Sequence, residues 1–109
     1  MKRIQIVLAE NDVMAISEGL KKIPVGGVLV HKMKGRDKYP KPEIHAGKGS
    51  EIFIPQFGHK HVMEVIVPDS KEKEVIKIIR ENAKVGMIFV YPVSQAIDIG
   101  SGKEGEEIL

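Results

Sequence analysis

The chain has 109 residues, of which 42% are hydrophobic and 29% are charged, a composition typical of one soluble globular domain. Its 17 Lys and Arg nearly balance its 15 Asp and Glu, so the composition argues against a nucleic-acid-binding protein. Without cysteine there is neither a disulfide nor a thiolate metal site, and no apolar run approaches the ~20 residues of a membrane span. The apolar part of the N-terminus is too short for a signal peptide, so we expect a cytoplasmic location.

The first predicted elements are a strand and a helix. Residues Arg3 to Leu8 alternate in character, which predicts a half-buried strand. Asn11-Asp12 predicts a helix N-cap, and Pro24 predicts the helix end. The helix buries one stripe of apolar residues at helical spacing and carries two lysines in its last turn: Val13, Ile16, Leu20 and Ile23, then Lys21 and Lys22.

The rest of the chain is predicted to supply three further strands and a second helix. Strands are predicted from Val28 to Met33, from about His61 to Val67 and from Met87 to Val93. A helix with the stripe Val75, Ile78 and Ile79 precedes the last strand, and Asp69 with Glu72 predicts a capping box at its start. A polar, glycine-broken tail follows at about residues 100–109.

The resulting order, βαββαβ, predicts an α+β fold of the ferredoxin-like type. Two helices cover only one face of its antiparallel sheet. The other face would carry Gln5, Val7 and further apolar residues, so we expect self-association across it.

The connection from Lys34 to Lys60 is too long and too rich in glycine and proline for a regular element. Connections of this length in compact domains are usually functional or disordered. Three apolar residues lie in the last part of this connection: Phe53, Ile54 and Phe57. They either pack back on the domain or form a surface on which a partner docks.

Several segments, in order and spacing, resemble a known family. Six segments are similar to corresponding segments of the P-II nitrogen-regulatory signalling proteins. They are the start MKRIQIVL, Gly27-Val28 through Lys34-Gly35, Lys48-Gly49-Ser50-Glu51, Lys60 through Asp69, Met87 to Val93, and Ile99 to Leu109. The resemblance covers nearly the whole chain and implies a single P-II-like domain, residues 1–109, with the long T-loop of that family at about residues 35–59.

The resemblance implies a homotrimer that binds adenine nucleotides and 2-oxoglutarate in clefts between subunits. A protein partner, either a transporter or an enzyme, would dock on the T-loop, and membrane contact would arise only through a transporter. The cleft residues carried over are Val7, Gly27, Val28, Leu29, Gly35, Asp37, Lys60, Glu64, Ile66, Gly86 and Met87.

The chain departs from the family pattern at the phosphate-binding positions. About five residues are missing from the glycine-rich loop before the last strand, and Met87 stands where the resemblance places a phosphate-binding lysine. Asp98 and Gly100 occupy the positions of two arginines. The departures predict no conventional site for MgATP with 2-oxoglutarate; any adenine nucleotide bound would be ADP or AMP. Lys34, Lys60 and Lys103 remain as candidate anion-binding cations.

The regulatory loop also differs from the family. Ile52 and Phe53 follow Glu51 where uridylylated relatives have a tyrosine, so that modification is not expected. Tyr39 lies elsewhere in the loop. Ser50 falls where some relatives are phosphorylated, although an ordinary loop serine is the simpler interpretation. Asp37 replaces a glutamine that helps to hold Mg²⁺ and 2-oxoglutarate.

Other clusters have plain alternatives. His31, His59 and His61 could bind a metal if the strands bring them together, or they could be polar residues on a solvated sheet face. Glu104, Glu106 and Glu107 are typical of a solvated tail. No residue pattern of an enzyme is found.

The sequence thus predicts a regulator of nitrogen utilisation that acts through its T-loop and is not an enzyme. The alternatives are a P-II-like sensor of another ligand (AMP, ADP, bicarbonate or a metal) and a protein–protein adaptor without a ligand.

Overall fold

A computed structural model describes residues 1–9, 11–36 and 57–109, together with the backbone of residues 44–45 and 52–53. Its elements are β1 (Lys2–Leu8), α1 (Val13–Leu20), β2 (Val28–Gly35), β3 (Ile44–His45), β4 (Ile52–Phe53), β5 (Gly58–Val67), α2 (Glu72–Asn82) and β6 (Gly86–Pro92). Single 3₁₀ turns lie at Asp69–Lys71 and Glu106–Ile108.

Four strands form one antiparallel sheet in the order β2-β5-β1-β6. The two central strands, β1 and β5, are paired with Ile4 opposite Val65, and β6 lies on the other side of β1 with Val90 opposite Ile4. The prediction of a ferredoxin-like sheet with two helices is therefore confirmed.

The core lies between the helices and one face of this sheet. Alternation in β1 puts three side chains on that face, and all three are essentially buried: Ile4, Ile6 and Leu8. Met63 and Val65 of β5 extend the same layer, and the helices close it with the buried residues Ile16, Leu20, Val75 and Ile79. The apolar residues that recur at strand and helical spacing in the sequence are thus buried together in one core.

The helix ends differ from the predictions. Asp12 is the N-cap residue of α1, but its side chain makes no capping hydrogen bond; its carbonyl accepts from the Ile16 amide at 3.0 Å. The helix ends at Leu20, so Lys21 and Lys22 lie beyond its last turn. A tight turn, with the Ile23 amide donating to the Leu20 carbonyl, fills the gap before Pro24.

The predicted capping box at α2 is also absent. Asp69 lies in a 3₁₀ turn and makes no side-chain cap. Its carboxylate instead lies 3.0 Å from the Met1 amine. A hydrogen bond from that amine lowers the pKa of Asp69 below its ordinary value of 3.8. Asp69, which the sequence pattern predicted as a helix cap, therefore makes a contact with the distant N-terminus instead.

The strands that flank the long loop extend further than predicted. β2 continues to Gly35 and β5 begins at Gly58, with these two glycines opposite each other. Within the loop, Ile44 is paired with Phe53 and His45 with Ile52, so a short antiparallel pair occurs where no period was recognised. The long connection therefore begins as a continuous two-stranded ribbon, β2 with β5.

The C-terminal segment folds back on the domain. Ile97 and Glu104 form an isolated antiparallel bridge, and the Gly105 amide donates to the Ala96 carbonyl at 3.0 Å. The glutamates 104, 106 and 107 are exposed, as expected. The backbone of Leu109 nevertheless approaches Gly26, so these residues are not a free tail.

Candidate functional site

The sheet face opposite the helices, here called the open face, carries several exposed apolar side chains. Leu29 of β2 is 67% exposed, Met87 of β6 is 60% exposed, and Phe89 and Tyr91 are also exposed on β6. The middle of the face is already covered, because Val62 is only 2% exposed. Large exposed apolar residues thus lie on both sides of a buried centre of the open face. This arrangement is suited to contact with another protein surface.

Most of the predicted cleft residues share this open face. Strand register puts Leu29 opposite Glu64, and Val7 opposite both Val62 and Met87. The predicted residues on the open face are Val7, Leu29, Lys60, Glu64, Ile66 and Met87. Val28 lies on the helix side, partly buried against the core, and Gly27 precedes β2.

A polar row crosses the open face between β6 and β5. The Tyr91 hydroxyl donates to Oε1 of Gln5 at 3.2 Å, and Nε2 of Gln5 donates to Oε1 of Glu64 at 3.0 Å. Arg3 lies over the Tyr91 ring at 4.2 Å from its centroid, within the range of a cation–π contact. Its buried Nε has no hydrogen-bond partner among the described residues.

The sequence interpretation missed Arg3 and Tyr91. The two residues are far apart in the chain, and only the pairing of β1 with β6 places them opposite each other.

Lys60 and Gly35 lie together where the ribbon leaves the sheet. Lys60 is only 6% exposed although it belongs to the open face. A Cβ at Gly35 would lie 3.3 Å from Cγ of Lys60, so the glycine leaves room for the lysine stem. The two predicted residues therefore do meet at the base of the loop.

Gly86 and Met87 begin β6 beside the end of β1. Gly86 has a φ of +149°, and a Cβ there would overlap the Val7 carbonyl oxygen. A glycine is needed for this close approach whatever the cleft binds. Beside it lies a cleft of about 410 Å³ whose floor includes Ile6, Leu8 and Ile79, with Arg80 at the rim. This cleft is on the helix side of the sheet, and of the predicted residues only Gly86 and Met87 are among its described lining.

Asp98 is committed to its own turn. Its Oδ1 accepts from the Ser101 amide at 2.8 Å and from the Ser101 hydroxyl at 3.0 Å. These hydrogen bonds lower its pKa below the ordinary value of 3.8, so the carboxylate is charged near neutral pH. An acid stands in an exposed hairpin where the resemblance implied a phosphate-binding arginine.

The three histidines do not form one cluster. His59 and His61 occupy alternate positions of β5 and share the helix side of the sheet. His31 is opposite Val62 and lies on the open face. The two-residue period of the strand separates them, and no group of three or more His, Asp or Glu suited to a metal is found among the described residues.

The predicted cleft residue Asp37 and the predicted regulatory positions Tyr39 and Ser50 lie outside the described residues. Of Phe53 only the backbone is described, in β4. Phe57, next to the start of β5, is 58% exposed, which agrees with the docking interpretation for this residue rather than with packing on the domain.

Comparison with known proteins gives one family. Residues 1–103 match the family described as Nitrogen regulatory protein P-II. The chain is 30% identical over 114 residues to a nitrogen regulatory protein P-II of Haemophilus influenzae, with all of both chains covered. It is 30% identical over 110 residues to a P-II homolog of Arabidopsis thaliana, covering 96% of this chain and 56% of the plant protein.

Among solved structures, GlnK of B. subtilis superposes with a TM-score of 0.77 at 23% identity, covering 99% of this chain and 97% of that one. The fold is therefore shared with GlnK. In the part of the chain that is described, no helix has the length and apolar character needed to cross a membrane.

Proposed function

The chain belongs to the nitrogen regulatory protein P-II family, and from this premise we propose that it is a homotrimeric cytoplasmic regulator of nitrogen utilisation. Its long loop between β2 and β5 docks on a transporter or a metabolic enzyme, and it catalyses no reaction itself. Nucleic acid is not a partner, and contact with a membrane arises only through a transporter. The family match over residues 1–103 is the observation that carries the proposal.

The open face supports self-association. Leu29, Met87 and Phe89 leave a large apolar surface exposed in a single chain, and burying such side chains contributes about 1.5–3 kcal/mol each when complete. Sedimentation equilibrium of the chain tests this assignment. A mass of three chains that falls to one in Leu29→Glu/Phe89→Glu would support the trimer, whereas a monomeric wild-type chain would exclude it.

The effector site is altered in its charges. Met87 is exposed where a phosphate-binding lysine is implied, and Asp98 adds a negative charge in place of an arginine. Both changes disfavour a triphosphate by simple electrostatics. We infer that the site for ATP and 2-oxoglutarate is degraded and that ADP or AMP binds in preference to MgATP.

Calorimetric titration with ATP, ADP, AMP and 2-oxoglutarate tests this inference. Tight MgATP binding that 2-oxoglutarate strengthens would contradict the altered-site proposal. Binding of ADP or AMP alone would support it, and Lys60→Ala should then weaken the binding, because Lys60 is the cation held at the base of the loop.

The second candidate, a P-II-like sensor of another small ligand, is favoured by the position of Lys60. Lys60 lies beside Gly35 at the base of the loop, and these two predicted cleft residues would line the site of a small ligand such as bicarbonate. Titration with bicarbonate and with divalent metal ions distinguishes this function, and no heat with any of these ligands would favour an adaptor without a ligand.

A further inference from the structure

The ribbon of β2 and β5 carries a row of basic residues on its helix side. Lys32 lies opposite His61, Lys34 lies opposite His59, and Arg36 follows two residues after Lys34. We call these five residues the basic stripe. Four of them are exposed, and His61 is half-buried.

Strand register fixes the side on which the stripe lies. Val28, four residues before Lys32, is opposite the buried core residue Val65 and packs against the core. Because side chains alternate along a strand, Lys32 and Lys34 lie on the same side as Val28. The stripe therefore continues the helix side of the sheet into the uncovered part of the ribbon, away from the open face used for self-association.

The stripe is not neutralised by the described part of the chain. No carboxylate of a described residue lies within 4.0 Å of any of its five side chains, although other lysines do pair, such as Lys21 with Glu18 at 2.8 Å. Among the described residues, Lys32, Lys34 and Arg36 thus have no carboxylate partner.

Protection of a sheet edge explains only part of the stripe. β2 is an edge strand, and lysines on edge strands discourage pairing with other chains. His61, however, belongs to the interior part of β5, where it is paired with both Leu8 and Lys32, whereas His59 is paired with Lys34 alone. Their imidazole N–H groups add hydrogen-bond donors beside the lysines. Such donors are not needed to protect a sheet edge from pairing with another chain.

We propose that the basic stripe binds an extended acidic segment of a protein partner. Residues at alternate positions of an extended chain are spaced about 6.6–6.8 Å apart, in both the ribbon and the ligand. Carboxylates at every second position of the segment therefore match Lys32 and Lys34 in spacing as well as in charge, and Arg36 adds a third cation just beyond the end of β2. The stripe leads directly into the loop that docks on a protein, so this proposal rests on the proposed function and names the chemistry of its partner.

A protein segment fits these residues better than nucleic acid does. Strong binding to a phosphate backbone usually involves about 6–10 phosphate contacts, whereas the stripe has three permanent cations. The whole chain has a net charge of only +2, which supplies little long-range attraction for a polyanion.

Fluorescence anisotropy with a labelled peptide of about 11 alternating Glu and Ser residues, long enough to span the stripe, tests the proposal. At about 50 mM salt, Lys32→Glu/Lys34→Glu should raise the Kd about tenfold, because two attractive contacts become repulsive. The control Lys73→Glu/Lys77→Glu makes the same charge change on exposed positions of α2 and should alter the Kd less than about twofold. The neutral pair Lys32→Gln/Lys34→Gln should give an intermediate loss and keeps the test valid if charge reversal disturbs folding.

The proposal is overturned if the stripe and control variants weaken peptide binding equally, or if the wild-type chain does not bind the peptide. It is also overturned if the chain binds an oligothymidylate of the same length, or anionic vesicles, more tightly than the peptide. Sedimentation of the same variants separates this outcome from failure of the proposed function. A stripe variant that stays trimeric but no longer binds the peptide supports the proposed role of the basic stripe. A wild-type trimer that does not bind the peptide excludes that role but leaves the proposed function intact.

Discussion

Replacement of Gly86 by alanine should test whether this glycine is structural or serves only a ligand cleft. Its φ of +149° is a backbone conformation that residues with a Cβ rarely adopt, and the added Cβ would overlap the Val7 carbonyl oxygen. The conformational strain costs about 1–3 kcal/mol and the overpacking a similar amount. Partial relaxation of the β1–β6 pairing leaves an expected loss of at least about 2 kcal/mol in the free energy of unfolding.

Urea unfolding and thermal melting at one fixed protein concentration measure this loss, since oligomerisation makes stability depend on concentration. For a domain of this size the melting temperature should fall by at least about 8 °C. Gly27→Ala is the matched control, because no atom of the described residues lies within 4 Å of its added Cβ and its φ is not positive. The control should be neutral or stabilised by up to about 1 kcal/mol through the unfolded state.

The two variants concern residues that the sequence interpretation treated alike, as members of one cleft. A loss below about 0.5 kcal/mol in Gly86→Ala, within the range of ordinary surface substitutions, would refute the steric reasoning.

Three further predictions concern the core, the C-terminal hairpin and the altered site. Ile79→Ala removes a buried side chain between α2 and the sheet and should cost about 2–5 kcal/mol in urea unfolding; a smaller loss would mean that the core collapses around the gap. Asp98→Ala should lower the melting temperature at pH 7, and the difference from wild type should vanish as the pH falls below 3.8, because a lowered pKa stabilises the fold only while the carboxylate is charged. A difference that persists at lower pH would exclude the Ser101 hydrogen bonds as its cause. Met87→Lys should tighten ADP binding in calorimetry about tenfold, the size of one charge-assisted hydrogen bond; an unchanged Kd would place the phosphates elsewhere.

The main elements of the fold could be predicted because their signals are local. Alternation in Arg3 to Leu8 and the helical stripe ending at Ile79 depend on neighbours in the chain, and both lead to buried residues in the structure. The ends of elements were predicted less well. Asp12 and Asp69 have the residue type of caps, but neither side chain caps a helix, and the Asp69 carboxylate contacts the distant Met1 amine instead.

The candidate site was predicted in part for a similar reason. The family resemblance named residues that strand pairing places on one face, such as Leu29, Glu64 and Met87. It did not find the contact of Arg3 with Tyr91, which exists only through pairing of the first and last strands. The alternation of Lys32, Lys34 and Arg36 was visible in the sequence, but its partners in β5 were not.

The sequence by itself determined the family, the order of the elements and the residues that fill the core, since each depends on residue type and short spacing. Only the tertiary structure decided which side chains share a face. His31 is separated from His59 and His61 by the sheet, whereas Lys32 and Lys34 join those two histidines in one stripe. The physical reason is strand register, because a shift of one residue moves every side chain of a strand to the other face, and register is set by contacts between distant parts of the chain.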